Sequence, residues 1–369
     1  MNNTTPKFLP EFREKKSRVF ELEKNSTAQR VVELELWGQP VSVYANANLS
    51  VYSAQKCNAK CPFCVEELRP ASRGKELEFQ KVVETRDERY FEALQEVLRA
   101  TRPINPSISV TGGEASKDPR LPRILRTLAA AGARKRTMTT NASGLLDCVE
   151  GKRNIDWICE NQLQHLNISR AHYSDERNAK IMRFQEGLAP DQLQKVVGLA
   201  ASAGCRTRLS CVLLHGEIDN LEKIRAYLDF AASIGVDNVI FRQLMKTDPR
   251  TSAPNFVVLY SDRKRVQLEQ LLNEISESCD FSFQRQIVGY YYYVEVWKYK
   301  GIDVVFEEAD LAHLEDTKRQ GQSIIHELVF HPNAKLCSTW QPWDGILGPK
   351  AAQVEGVVRN NREQRLKAA

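Results

Sequence analysis

Between residues 49 and 245, short β-type runs take turns with longer amphipathic ones, and this alternation restricts the chain to very few architectures. "NLSVYS" precedes "DERYFEALQEVLRA", where Phe91, Leu94, Val97 and Leu98 recur at helical spacing on one face. "SISV" leads to "RLPRILRTLAAAG", "RTMTT" to "LLDCVEGKRNIDWICENQ", "HLNIS" to "PDQLQKVVGLAASAG", and "RTRLSCVLL" to "NLEKIRAYLDFAASIG", with "NVIFRQLM" closing the series. Strands that alternate with helices cannot pair as hairpins; they form right-handed βαβ crossovers and a parallel sheet. The fold class is therefore α/β, a partial (β/α)6 TIM-type barrel, and such barrels carry their chemistry on the loops that follow the strands.

The flanks read differently. Residues 1–48 comprise a charged lead-in and a β-hairpin, "VVELELWGQPVSVYA", turning at Gly38-Gln39-Pro40. Residues 49–250 are the barrel and 251–350 a C-terminal, mainly antiparallel β extension. The extension opens with one helix, "SDRKRVQLEQLLNEISESC", capped by Ser261 or Asp262. "IVGYYYYVEVWKY" then pairs with "IDVVFEEAD" across Lys300-Gly301, and "HELVFH" with "KLCSTW" across Pro332-Asn333. Residues 351–369 are a basic tail.

Charge excludes more than it suggests. Lys and Arg number 52 against 47 for Asp and Glu, interspersed without a basic stripe, so a nucleic-acid partner is not expected. No run approaches the length of a membrane span and the start lacks a secretory apolar stretch, so the expectation is a cytoplasmic protein without a membrane partner. Nine cysteines is an odd total, with three crowded together and six scattered. A reducing compartment with one metal site accounts for both features.

The crowded three lie in "CNAKCPFC", directly after the first barrel strand: Cys57, Cys61 and Cys64. Structural zinc takes four closed ligands, and no second Cys or His pair supplies the fourth. A [4Fe–4S] cluster normally takes four cysteines, so three leave one iron open to another ligand.

The spacing CxxxCxxC on that loop, with the aromatic Phe63 before the last cysteine, resembles the radical S-adenosylmethionine (radical SAM) superfamily. The resemblance implies a [4Fe–4S] cluster on Cys57, Cys61 and Cys64 and S-adenosyl-L-methionine chelated at the open iron, cleaved to a 5′-deoxyadenosyl radical. "SVTGGEAS" resembles the family's GGE, with Gly112, Gly113 and Glu114 placed to receive the methionyl amine. "MTTNAS" is similar to TTNG, with Asn141 near the cosubstrate and Ala142 in place of the usual glycine. Ser169 and Arg170 in "NISRAHYS" match ribose and carboxylate contacts, and Val212 or Leu213, with Gly216, match the adenine wall. The resemblance spans roughly residues 50–245.

Within that superfamily, fold and cofactor do not name the reaction. Only Cys337 stands where relatives with auxiliary clusters carry several cysteines, so no second cluster is expected, and the likeness is to the molybdenum-cofactor-cyclase and SPASM-twitch branch without a complete auxiliary site. The expected substrate is a small polar molecule, a nucleoside or sugar metabolite of natural-product (antibiotic) biosynthesis, undergoing decarboxylation, epimerisation or dehydration. That makes the enzyme a lyase or isomerase rather than a transferase. A peptide-modifying maturase and a non-catalytic iron–sulfur sensor are the alternatives, with RNA modification last. The implied electron donor is a flavodoxin or ferredoxin. Cys337, Arg242 and Tyr292 are the candidate catalytic residues; "GYYYYVEVW" sets Tyr290 and Tyr292 on one strand face, Tyr291 and Tyr293 on the other. Further polar candidates at the barrel mouth are Glu66, Glu67, Lys117, His172, Arg208 and Gln243, with Glu307 and Glu308 weaker; Arg208 and Arg242 would suit a carboxylate or phosphate.

Overall fold

The structure, a computed structural model, describes residues 31–53, 57–64, 86–184, 186–246, 255–288, 292–309 and 324–349. The lead-in, the basic tail, Glu66, Glu67, Tyr290 and Tyr291 lie outside the described residues.

Strands β1 (Val31–Leu36) and β2 (Gln39–Tyr52) form the expected hairpin, but the turn is Trp37-Gly38. Both residues are left-handed, φ 50° and 77°, which gives a two-residue turn whose twist matches its strands. Gln39 and Pro40 already pair with Leu36 and Glu35. β2 runs on unbroken to Tyr52, so the hairpin strand and the first barrel strand are one element.

The alternation then unfolds as the sequence pattern predicts. α1 (Asp87–Ala100), β3 (Ser107–Thr111), α2 (Leu121–Ala130) and β4 (Arg136–Thr140) follow in order. "LLDCVEGKRNIDWICENQ" is not helical throughout: a small ribbon, β5 (Cys148–Val149) and β6 (Lys152–Arg153), turns at Glu150-Gly151 before α3 (Asn154–Glu160). After β7 (His165–Ser169) comes a helix absent from the sequence pattern, α4 (Asp175–Met182), which Ser174 caps by accepting from the Arg177 amide. α5 (Pro190–Ser202), β8 (Arg206–Leu213), α6 (Leu221–Ser233) and β9 (Asn238–Gln243) complete the series.

Strands β2, β3, β4, β7, β8 and β9 pair in parallel, in that spatial order. One face of each packs on the helices: Leu49, Val110, Met138, Leu166, Leu209 and Phe241 share a core with Leu94, Leu128, Ile158, Val197 and Leu228. Because side chains alternate along a strand, the opposite face lines the barrel lumen. Register puts Ser109 beside Thr137, Thr139 beside Asn167, and Asn167 beside Arg208 on that inner face.

The one helix expected at 261–279 is two: α7 (Phe256–Lys264) and α8 (Leu268–Glu277). Ser261 is buried within α7, and the cap is Asn255, whose Oδ1 accepts from the Val258 amide at 2.9 Å. The break falls at Arg265, whose guanidinium donates to the carbonyls of Leu244 and Met245 at 2.9 and 2.7 Å and ties the chain to the end of β9.

β10 (Phe281–Val288), β11 (Tyr292–Tyr299) and β12 (Ile302–Ala309) form an antiparallel sheet, and β13 (Ile325–Phe330), β14 (Leu336–Cys337) and β15 (Ile346–Gly348) another. β11 with β12 and β13 with β14 are the expected pairs; the stretch expected as the single strand "IVGYYYYVEVWKY" is divided between β10 and β11, and the pairing of β14 with β15 is additional. These strands also extend the barrel: β12 lies parallel to β9 at one edge and β13 parallel to β2 at the other, giving one 13-stranded sheet. Among the described residues, no helix is long and apolar enough to cross a membrane.

Candidate active site

The cysteine loop leaves the C-terminal end of β2. None of the nine cysteines is in a disulfide; Cys57, Cys61 and Cys64 are half-buried. The loop is pinned to the end of α4: the Lys60 amide donates to the Met182 carbonyl at 3.1 Å, and the Cys61 thiol approaches that oxygen at 3.6 Å. Behind it stands an apolar wall in which Cys57, Cys61 and Phe63 pack with Ala171, Met182, Phe184, Leu214 and Leu244. Burial, then the adjacent Cys64 and Cys57, push the Cys61 thiol well above its usual range, while Arg183 pulls it down. Among the described residues, no group of three His, Cys, Asp or Glu converges on a single metal ion. A single zinc ion would need sulfurs drawn in to bonds of about 2.3 Å each; a multi-iron cluster spreads its thiolates over separate irons. Three thiols on one loop, backed by apolar side chains, suit the second donor set.

The strand-end loops knit together beside it. Glu114 is 2% exposed, and its carboxylate accepts from the Ser116 amide (2.9 Å) and hydroxyl (2.6 Å), the Thr140 hydroxyl and the Asn141 amide (2.6 Å). It therefore joins the end of β3 to the end of β4. Asn141 passes the link on, donating through Nδ2 to Asn58 Oδ1 at 2.8 Å, and Asn58 in turn donates to Ser143 and Glu186 at 3.0 and 2.8 Å. Asn58 lies inside the cysteine motif, and Ser116 and Thr140 beside Glu114 and Asn141; sequence reasoning missed Asn58 and Thr140 because their partners are remote in the chain, and Ser116 although its partner Glu114 is two residues away. Gly112 has φ 91°, and a Cβ there would sit 2.7 Å from the Tyr52 ring, so only glycine lets this backbone pass. Gly113, half-buried, lies between it and Glu114. Ala142, where the resemblance leads one to expect glycine, adopts φ 72°.

Asn141, Ser169 and Arg170 line one narrow cleft with Ala142, Asn178 and Phe184. Asn178 was not anticipated; it is buried, and its Oδ1 accepts from the Ala171 amide at 2.8 Å. Arg170 is buried against Phe230, its guanidinium 4.6 Å from the ring centre, and ion-paired with Asp175. Val212 and Leu213 part company: Val212 packs on the wall behind the cysteines, whereas Leu213 faces the helices in the main core. Gly216, φ 86°, is held by its amide donating to Asp219 at 2.6 Å.

Of the three candidate catalytic residues, two share a lumen wall. Arg242, 44% exposed, is ion-paired with Glu307 on β12 at 3.1 Å. Tyr292 packs with Ile240, Val294, Val296 and Val305, and burial, then Tyr44 and Glu307, hold its phenol above the usual range. Cys337 is fully buried in β14, and burial pushes its thiol up to about 12. Gln243 lies on the opposite strand face to Arg242, with its Nε2 donating to the Val266 carbonyl at 2.8 Å. Lys117 is paired with Asp147 (3.0 Å) and Glu186 (3.5 Å), Glu308 with Lys246 (2.7 Å). His172 is buried and accepts at Nδ1 from the Ser174 amide at 3.0 Å, with burial lowering its pKa.

A family model described as the Radical SAM superfamily matches residues 51–231. No curated protein matches the chain. Among solved structures, Streptococcus suis SuiB bound to precursor peptide SuiA is similar at 17% identity, covering 64% of this chain and 46% of that one, TM-score 0.44. Native anSMEcpe with bound AdoMet is similar at 16% identity, covering 53% and 50%, TM-score 0.36. The methyltransferase TsrM from Kitasatospora setae is similar at 19% identity, covering 54% and 36%, TM-score 0.36. The chain spans about half the length of these proteins or less.

Proposed function

Because this chain carries a domain of the radical SAM superfamily over residues 51–231, we propose that it is an enzyme holding a [4Fe–4S] cluster through Cys57, Cys61 and Cys64 and S-adenosyl-L-methionine in the adjoining cleft. When bound, the reduced cluster supplies the electron that cleaves the cosubstrate and yields a 5′-deoxyadenosyl radical. The observation that carries this reading is the continuous web from Asn58 in the cysteine loop through Asn141 to Glu114, which ties three strand-end loops together, with Asn141 also lining the cleft.

Each residue has its own task. Glu114 accepts three donors at Oε1 and only the Asn141 amide at Oε2, so it fixes the ends of β3 and β4 while Oε2 keeps a lone pair for the methionyl amine. Asn141, Ser169 and Arg170 line the cleft for the cosubstrate's amino acid and ribose, with Arg170 exchanging its partner Asp175 for the cosubstrate's carboxylate. Val212 with the wall behind the cysteines keeps water from the cluster side. Arg242 with Glu307, and Tyr292, line the lumen where a small polar substrate, a nucleoside or sugar metabolite, meets the radical. The reaction is a decarboxylation, epimerisation or dehydration, and a flavodoxin or ferredoxin serves as the electron donor.

Anaerobically reconstituted protein is expected to contain iron and sulfide and to form 5′-deoxyadenosine from S-adenosylmethionine with dithionite. Cys57→Ala, Cys61→Ala and Cys64→Ala should each lose the cluster's visible absorbance and this product. Zinc in place of iron, or full iron retention in these variants, would refute the ligand assignment.

A further inference from the structure

Below the cleft, on the lumen face of β8, Arg208 has an unusual set of neighbours. It sits four residues before Val212 on the same strand face, about 13 Å deeper at the usual rise per residue. Its Nε donates to Asn238 Oδ1, a neutral partner. Among the described residues, no carboxylate lies within ion-pair distance of Arg208 or of Lys135, at the entry to β4.

The anions that face this region are already engaged. Asp303 holds Arg206 at 2.7 Å and Lys298 at 2.8 Å, Asp237 holds Arg206 at 3.2 Å, and Glu307 holds Arg242 at 3.1 Å. Asp303 and Glu307 reach Arg208 only at longer range, while Arg242 and Arg206 repel it. His165, level with Arg206 in the sheet, completes the group. Its ring is held down to about 4 by burial and then by Lys135, Arg208 and Arg206. Beside Arg208 in register, Asn167 has a buried Oδ1 without a partner among the described residues.

A half-buried guanidinium set among other cations destabilises the fold unless something anionic joins it. We propose that the lumen contains an anion subsite formed by Arg208, Lys135, His165 and Asn167, which seats a carboxylate or phosphate of the substrate and leaves its reacting carbon up-barrel beside Val212. The planar fork of Arg208 suits both oxyanions, and Asn167 accepts a neighbouring hydroxyl or amine. This rests on the reading of the barrel mouth as the reaction centre and narrows the substrate to an elongated anionic metabolite.

The test is calorimetric titration of the cluster-reconstituted full chain with inorganic pyrophosphate and, separately, citrate, at ionic strength held constant with sodium chloride. Wild type is expected to bind at least one of them saturably, as is Arg126→Gln, a control at a surface ion pair on α2. Arg208→Gln should bind at least tenfold more weakly, yet unfold without anion at a midpoint equal to or above that of wild type. A purely structural arginine would lower that midpoint. Binding of pyrophosphate alone assigns a phosphate, of citrate alone a carboxylate, and of both an oxyanion of either kind. No saturable binding to wild type, or equal affinity in Arg208→Gln, overturns the proposal; should that variant not fold, Lys135→Met is read in the same way. Formation of 5′-deoxyadenosine needs no occupant in this subsite, so failure here and failure of the cosubstrate reading are told apart.

Discussion

Gly112 and Glu114 show how closely single residues are constrained at the strand ends. At Gly112 the backbone is left-handed and the space where a Cβ would stand belongs to the fully buried Tyr52 ring. Gly112→Ala is expected to cost roughly 2–4 kcal/mol through overpacking and a strained φ together, read as a lowered denaturant midpoint. An unchanged midpoint would mean that the Tyr52 ring yields freely. Titration gives a second residue-scale expectation. His165 keeps its folded-state pKa at about 4, below the ordinary 6.5, so the unfolded chain takes up a proton first as pH falls. The stability it contributes is full above about pH 6.5 and is lost between there and about pH 4. His165→Gln should flatten the decline across that window. Asp280, held down to about 2 by Arg225, contributes a separate loss at lower pH. Unfolding free energies measured from pH 7 to 2 check both, the Asp280 loss falling between about pH 3.8 and 2.

At the scale of elements, α4, α6 and α7 begin where a side chain replaces the missing backbone acceptor. α6 opens on Asn220, which accepts from the Lys223 amide at 3.0 Å, and its Ile224, Tyr227 and Leu228 are buried against the sheet. Asn220→Ala should cost about 1 kcal/mol, with hydrogen exchange rising first in the opening turn of α6. Uniform exchange along the helix would sink this assignment. The alternation of strands and helices was legible because it is written in local periodicity, and so was the Lys300-Gly301 turn. The division of 256–277 into two helices was not. The interruption comes from Arg265 reaching carbonyls at the end of β9, a contact that no helical period encodes. Likewise the continuation of β2 through Ala45–Asn48 depends on pairing with neighbours, since that stretch is weak in apolar residues.

For the whole molecule, the two C-terminal sets of strands at the edges of the sheet matter more than their position in the chain suggests. β13 covers the free edge of β2, and Phe330 lies 5.0 Å from the Tyr90 ring in the main core. A chain ending at residue 309 would bare that edge and the apolar side chains under it. We expect such a truncation to aggregate, as sedimentation would show. A soluble monomer would instead make residues 324–349 a dispensable addition.

Two properties were present in the sequence by itself: a parallel barrel and a loop of three cysteines after its first strand. Both follow from spacing within short stretches, where periodicity and motif act over a few residues. Tertiary structure alone decided that Val212 rather than Leu213 backs the cysteines, that Glu114 spends its carboxylate on Ser116, Thr140 and Asn141, and that Arg208 meets the neutral Asn238 with no carboxylate within ion-pair distance among the described residues. Those outcomes depend on which strand lies beside which and on the face it turns inward, and pairings between residues remote in the chain are set only when the sheet closes.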